Sequence, residues 1–196
     1  MLEEEILSFV KKYAIEHSEN DDIHGFPHVE RVYNLCLQIG RELGANLFVL
    51  KIAAYLHDIG RILIREERRD KNHAEFSAEI ALELLKSSGF KIPQIDLDKI
   101  IHIIRAHSFS NNIKPEILEA KILSDADKLD ALGAIGLYRT IGFTIQRGGD
   151  LDNLIEHLEN KIMKLPNLLF LDISRNLAEK RNQIIFDFYN KIMKEK

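Results

Sequence analysis

An almost unbroken apolar run, Leu47 to Leu56 with Lys51 as its single charge, ends in the doublet His57-Asp58. Such a run belongs in a core. An imidazole beside a carboxylate there must be hydrogen-bonded, ion-paired or metal-bound to offset its desolvation. Alone, the doublet reads as a His-Asp hydrogen bond finishing a core helix. Other ionisable residues also stand on apolar stripes. His28 lies four before Val32 and seven before Leu35, and His107 follows Ile100, Ile103 and Ile104. His73 leads Ser77, Ile80 and Leu84, and Asp127 is four residues from both Leu123 and Ala131. Helical spacing turns all of them inward. Taken singly, each is a satisfied core polar group. Taken together, they have one economical explanation, a shared cation. Imidazole and carboxylate without thiolate suit a borderline or hard divalent ion (Mn, Fe, Co, Ni or Mg) and exclude a cysteine-rich structural zinc site.

Cationic residues flank this set. Arg31 is one turn beyond His28, and Lys128 is next to Asp127. His24, in the loop His24-Gly25-Phe26-Pro27-His28, is close enough to reach a ligand beside the ion. His17, His102 and His157 fall at a helix end or among polar positions and read as structural. The stretch Arg61 to Lys71 holds Arg61, Arg65, Arg68, Arg69 and Lys71, diluted by Glu66, Glu67 and Asp70. A mixed charge run is usually a solvated loop, but its place directly after His57-Asp58 also suits phosphate steering. Other activating motifs are absent: no Gly-x-x-x-x-Gly-Lys loop, no Gly-x-Ser-x-Gly elbow, no His-Glu-x-x-His helix.

The elements that must position these residues are helical. Only four prolines occur, and no stretch alternates for long like a strand. The spacing predicts helices over 2–17, 27–43, 47–58, 73–87 and 96–107. A long helical pattern follows over 116–143, then helices over 151–165 and from 171 onward. Pro27 suits a first helical turn. Gly44 and Gly89 read as stops, and Gly148-Gly149 as a break. The expected fold is a single compact all-α domain over 1–196, with the motifs inside 21–146 and further helices over 151–196.

Composition narrows the function class. The chain has 196 residues, 45% hydrophobic and 30% charged, with a net charge of −4, the profile of an ordinary globular protein. The mild acidity argues against a stable nucleic-acid partner. Cys36 is the one cysteine, so no internal disulfide can form, and a reducing compartment is expected. The acidic Met-Leu-Glu-Glu-Glu start is unlike a secretory signal, and no apolar segment approaches the ~18 residues of a membrane span. The expectation is a cytoplasmic protein without a membrane partner. Leu168, Leu169, Phe170 and Leu171 leave a homodimer interface open, although core packing is the commoner fate of such residues.

The order His28, His57-Asp58, Asp127 resembles the HD phosphohydrolase superfamily. The resemblance rests on His24-Gly25-Phe26-Pro27-His28-Val29-Glu30-Arg31-Val32, Ala54-Tyr55-Leu56-His57-Asp58-Ile59-Gly60, His73-Ala74-Glu75-Phe76-Ser77-Ala78 and Asp125-Ala126-Asp127-Lys128-Leu129-Asp130-Ala131-Leu132-Gly133-Ala134. His157-Leu158-Glu159-Asn160-Lys161 and Ala178-Glu179-Lys180-Arg181 resemble the tail of small bacterial and archaeal members. Some of those hydrolyse nucleoside triphosphates to monophosphate and pyrophosphate.

The resemblance implies an HD-type helical fold and a divalent-metal-dependent phosphohydrolase acting on a small phosphate substrate, a nucleotide. The implied metal ligands are His28, His57, Asp58 and Asp127. Asp127 is preferred over Asp125 because it precedes Lys128-Leu129. Arg31, His73 and Lys128 become phosphate contacts, joined by His24 and Arg61, and His107 holds phosphate or a second ion. Asp58, Lys128 and Asp130 are the expected catalytic residues, with Asp130 or Glu75 orienting the attacking water. One position departs from the pattern. Nucleotidase-type members often carry a catalytic Glu where this chain has Arg61, which suits a more highly charged substrate. Two alternatives stand beside this reading. A di-iron oxygenase would draw on His28, His57, Asp58, His73, His107 and Asp127, and an inactive nucleotide-binding protein would not turn over.

Overall fold

The computed structural model describes residues 2–62 and 72–196, and every regular element among them is helical. Nine α-helices are described: α1 Leu2–Glu16, α2 Phe26–Leu43, α3 Leu47–Leu56, α4 His73–Ser87, α5 Gln94–His107, α6 Leu118–Asp130, α7 Gly133–Gln146, α8 Leu151–Asn160 and α9 Asp172–Glu195. Short 3-10 segments lie at Phe109–Asn111 and Ile162–Leu168. The basic positions Arg65, Arg68, Arg69 and Lys71 lie outside the described residues. The chain clusters into two compact units, Met1–Ser124 and Asp125–Lys196. That boundary falls inside α6, not at the Gly148-Gly149 break.

In the first unit the apolar run becomes α3, the central helix, in contact with α1, α2, α4 and α5. Seven of its residues, from Val49 to Leu56, are buried, which explains a run with so little polar relief. Asn46 starts it, its side chain accepting from the Phe48 and Val49 N–H groups, while its own N–H donates to Glu119 at 2.7 Å. Asn72 caps α4 through the Ala74 N–H and also donates to Ser110 at 2.9 Å. Pro27 occupies the first turn of α2, and Gly44 ends that helix at φ +68°. A side chain there would be strained, whereas glycine is not.

The expected 47–58 helix stops two residues early. His57 is its C-cap, and His57-Asp58-Ile59 form a turn, which lets the doublet leave the helical stripe. Gly60 closes the turn against α4, donating from its N–H to Ser77 Oγ at 3.0 Å.

In the second unit, the long 116–143 pattern divides into α6 and α7. Gly133 takes φ +78°, and a Cβ on Gly136 would lie 2.2 Å from the Ala131 carbonyl carbon. Arg181 of α9 donates to the Leu129 carbonyl at 2.7 Å, satisfying a terminal acceptor of α6. Asp125 accepts from the Phe170 and Leu171 N–H groups at 2.9 and 3.0 Å, so one buried carboxylate fixes the chain entering α9. Of the apolar residues 168–171, Leu169 is buried, whereas Leu168 and Phe170 stay exposed. Among the described residues, no helix is long and apolar enough to cross a membrane.

Gly60 has no room for a side chain. A Cβ there would lie 2.7 Å from the Ser77 nitrogen and 3.0 Å from the His73 carbonyl oxygen, both backbone atoms of α4. Gly60→Ala is therefore expected to destabilise the fold by about 1–3 kcal/mol, read from urea unfolding. An unchanged midpoint would show that the α3–α4 junction yields without cost.

Candidate metal centre

Four elements of the first unit deliver imidazoles to one carboxylate. α2 carries His28, the α3 C-terminus carries His57, α4 opens with His73 and α5 closes with His107. Asp58, in the turn after α3, stands between them with its side chain 2% exposed. His28 Nε2 and His57 Nε2 face Asp58 Oδ2 at 3.6 and 3.7 Å. His73 Nε2 and His107 Nε2 face Asp58 Oδ1 at 3.5 and 3.6 Å. The rings stand edge to face, with His28–His57 centroids 5.4 Å apart and His57–His107 5.0 Å. Two overlapping triads result, His28-His57-Asp58 and Asp58-His73-His107, each with ligand atoms within 4.8 Å of one another.

Two of the rings have a fixed tautomer. His57 Nδ1 lies 2.8 Å from the Ala54 carbonyl oxygen and His107 Nδ1 2.6 Å from that of Ile104. A carbonyl can only accept, so each Nδ1 carries a proton and each Nε2 is the ring atom turned toward the carboxylate. Asp58 Oδ1 and His107 Nε2 are both buried without a hydrogen-bond partner. Such a pair is costly unless a positive or proton-donating group stands between its members. Orienting each ligating imidazole through Nδ1–H to a carbonyl is also how metal-binding histidines are held. The residues therefore fit a divalent cation.

Arg61 supplies part of that charge within the chain. Its Nε donates to Asp58 Oδ2 at 2.5 Å, and its terminal nitrogen lies 3.2 Å from His73 Nε2. Burial alone would raise the Asp58 carboxyl. The Arg61 guanidinium and His57, helped by His107 and His28, outweigh burial and hold it well below the usual carboxylate range.

The structure brings His28, His57, Asp58, Arg61, His73 and His107 together. His24 is partly buried, its N–H held by Asp21 at 2.8 Å, and Arg31 follows His28 on α2. Glu75 is paired with Arg105 at 2.6 Å. The remaining candidates belong to the second unit. Lys128 is 8% exposed, its Nζ 5.4 Å from the Phe170 ring centroid. Burial pulls its ammonium below the ordinary lysine value, against the opposing charges of Asp127 and Asp125. Asp127 is partly buried. Asp125 has one oxygen on each of two backbone N–H groups. Asp130, 2% exposed, pairs with Arg139 at 2.7 Å.

Sequence reasoning missed the supporting residues. Ser77, which holds the turn of the doublet, and Ser124 Oγ, which donates to the His107 carbonyl at 3.1 Å, carried no legible signal. Asn72 did carry one, a capping residue directly before a helix. His102, set aside as structural, accepts from the Glu116 N–H at 3.3 Å.

The HD domain family matches this chain over residues 25–132. The Bacillus subtilis protein YpgQ is 30% identical over 98% of this chain and 92% of its own length. The crystal structure of YpgQ in complex with ADP superimposes with a TM-score of 0.81, at 26% identity, covering 100% of this chain and 97% of that one. An HD-superfamily hydrolase from Bacillus thuringiensis gives a TM-score of 0.73 at 25% identity, over 98% and 97% of the two chains. Ribonuclease Y of Treponema denticola is 30% identical over 66% of this chain but only 23% of its own length.

The depressed Asp58 carboxyl makes the metal-free protein acid-sensitive. A carboxyl lowered on folding contributes stability that is complete above the unfolded value of about 3.9 and is lost as pH falls toward the folded value. Urea unfolding in a chelator, followed from about pH 5 to about pH 2, is expected to show this loss. Asp58→Asn should flatten that limb. An acid limb of unchanged steepness in the variant would remove Asp58 as its source.

Proposed function

This chain belongs to the HD domain family, and on that premise we propose that it is a divalent-metal-dependent phosphohydrolase of nucleotides, cleaving nucleoside triphosphates to monophosphate and pyrophosphate. The observation that carries the reading is the convergence of four imidazole Nε2 atoms on the buried Asp58, with two rings fixed by backbone carbonyls. The ADP bound by YpgQ, a relative along nearly the whole chain, supports a nucleotide as ligand.

A divalent ion such as manganese would neutralise charge on the attacked phosphate and lower the pKa of a water. His28, His57 and Asp58 would hold that ion, and the family resemblance adds Asp127 as a further ligand. Arg31, Arg61 and Lys128 bind the non-bridging oxygens and offset the charge that grows in the transition state. His24, His73 and His107 act as further contacts to the phosphate chain. Asp130 or Glu75 orients the attacking water, each already fixed by an arginine. Water adds across the bond between the α-phosphorus and its bridging oxygen, and pyrophosphate leaves.

A second reading has one observation in its favour. The second triad, Asp58-His73-His107, could hold another ion, as a di-iron oxygenase requires. Counting ions separates the two readings, because two redox-active irons per chain would favour the oxygenase.

The direct test supplies the purified protein and manganese with nucleoside mono-, di- and triphosphates, detecting phosphate and pyrophosphate separately. Pyrophosphate from triphosphates is expected. Phosphate from monophosphates alone would show that the triphosphate assignment is wrong. His57→Ala and Asp58→Ala should keep the helical circular dichroism while losing bound metal and at least about 100-fold of the hydrolysis. Full turnover in either variant would sink the assignment of the centre.

A further inference from the structure

The two triads share Asp58 but differ in what else touches them. In the first, His28 and His57 face Oδ2. In the second, His73 and His107 face Oδ1, and His73 also lies within hydrogen-bond distance of the Arg61 guanidinium at 3.2 Å. A guanidinium has only N–H donors, so His73 Nε2 must be the acceptor of that bond. A nitrogen lone pair spent on a hydrogen bond is not available to a metal. With His73 engaged, the second triad keeps His107 Nε2 and one carboxylate oxygen, and two donors do not make a site for a divalent ion.

The same guanidinium acts by its charge. Arg61 Nε is 2.5 Å from Asp58 Oδ2, so a permanent positive charge lies against the carboxylate that both triads share. A carboxylate oxygen with two lone pairs can accept from Arg61 and still ligate one ion. A second dication on the same carboxylate would have to sit beside both the first ion and the guanidinium, which Coulomb repulsion opposes.

We infer that Arg61 sets the number of ions at the centre: by occupying His73 and charging Asp58 it confines the chain to a single ion, held by the His28-His57-Asp58 triad. The second triad is then a latent metal site, geometrically complete within 4.8 Å and closed by one side chain. The inference rests on the proposed metal centre but not on the proposed substrate.

The test is metal content, not turnover. Wild type, Arg61→Gln and the double variant Arg61→Gln/His73→Ala are dialysed to equilibrium against manganese, with protein-bound metal quantified by mass spectrometry and spin coupling followed by electron paramagnetic resonance. The wild type is expected to hold one ion with an uncoupled signal. Arg61→Gln is expected to hold two, with the exchange-coupled spectrum of a bridged pair, and the double variant should return to one. A single ion in Arg61→Gln, or two ions in the wild type, would overturn the role of Arg61 while leaving the metal centre intact. Two ions persisting in the double variant would overturn the assignment of the latent site to His73. An empty wild type would overturn the metal centre and the inference together. Arg61 is partly exposed, and circular dichroism of the Gln variant checks that its fold is retained.

Discussion

Everything at the centre follows from one constraint, a carboxylate held in the core with four imidazole Nε2 atoms aimed at it. Asp58 is removed from water, and its oxygens face imidazole Nε2 atoms, two of them on rings fixed by an Nδ1–H bond to a backbone carbonyl. Desolvation opposes that arrangement. It persists because Arg61 contributes a positive charge within the chain, and the donor set fits a cation that would complete it. The surrounding helices hold four rings in this otherwise unfavourable geometry.

The local architecture serves that purpose. α3 is buried on almost every side, so its C-terminus is a rigid platform for the doublet. Ending the helix at Leu56 turns Asp58 out of the helical stripe, and Gly60 lets the turn lie directly on the backbone of α4. Asn72 caps the helix that begins with His73 and bonds to Ser110 in the segment after α5. The last residue of α5, His107, is thereby tied to the element that presents His73. Precision here comes from backbone hydrogen bonds and a close glycine contact, not from the ligands themselves.

The second unit treats its charges differently. Each of its buried acidic groups has a structural partner: Asp125 holds the entry to α9 through two N–H groups, and Asp130 is paired with Arg139. Lys128 is desolvated over the Phe170 ring, with the charges of Asp127 and Asp125 offsetting the cost of its burial. The commitment of Asp125 to α9 gives a physical reason why the neighbouring Asp127, and not Asp125, is the carboxylate proposed to ligate.

The sequence by itself determined the all-helical class and marked His28, His57, Asp58, His73 and His107 as ionisable groups on apolar stripes or at the end of one. A 3.6-residue period is a property of adjacent residues, and ionisable groups on apolar stripes are visible without coordinates. The helix starts at Leu47 and His73 and the break at Gly148-Gly149 were legible from adjacent residues as well. Tertiary structure alone decided the rest. It decided that α6 and α7 are two helices, because a close approach at Gly136 and a positive φ at Gly133 override a continuous apolar pattern. It decided which nitrogen of each fixed imidazole carries a proton, since the carbonyls that choose are placed by the helix ends. It also revealed that Arg61 bridges Asp58 and His73, twelve residues further along the chain. Period and propensity fix which face a residue takes. Which of the groups on those faces meet, and through which atom, depends on how the helices pack together, and no local pattern encodes that.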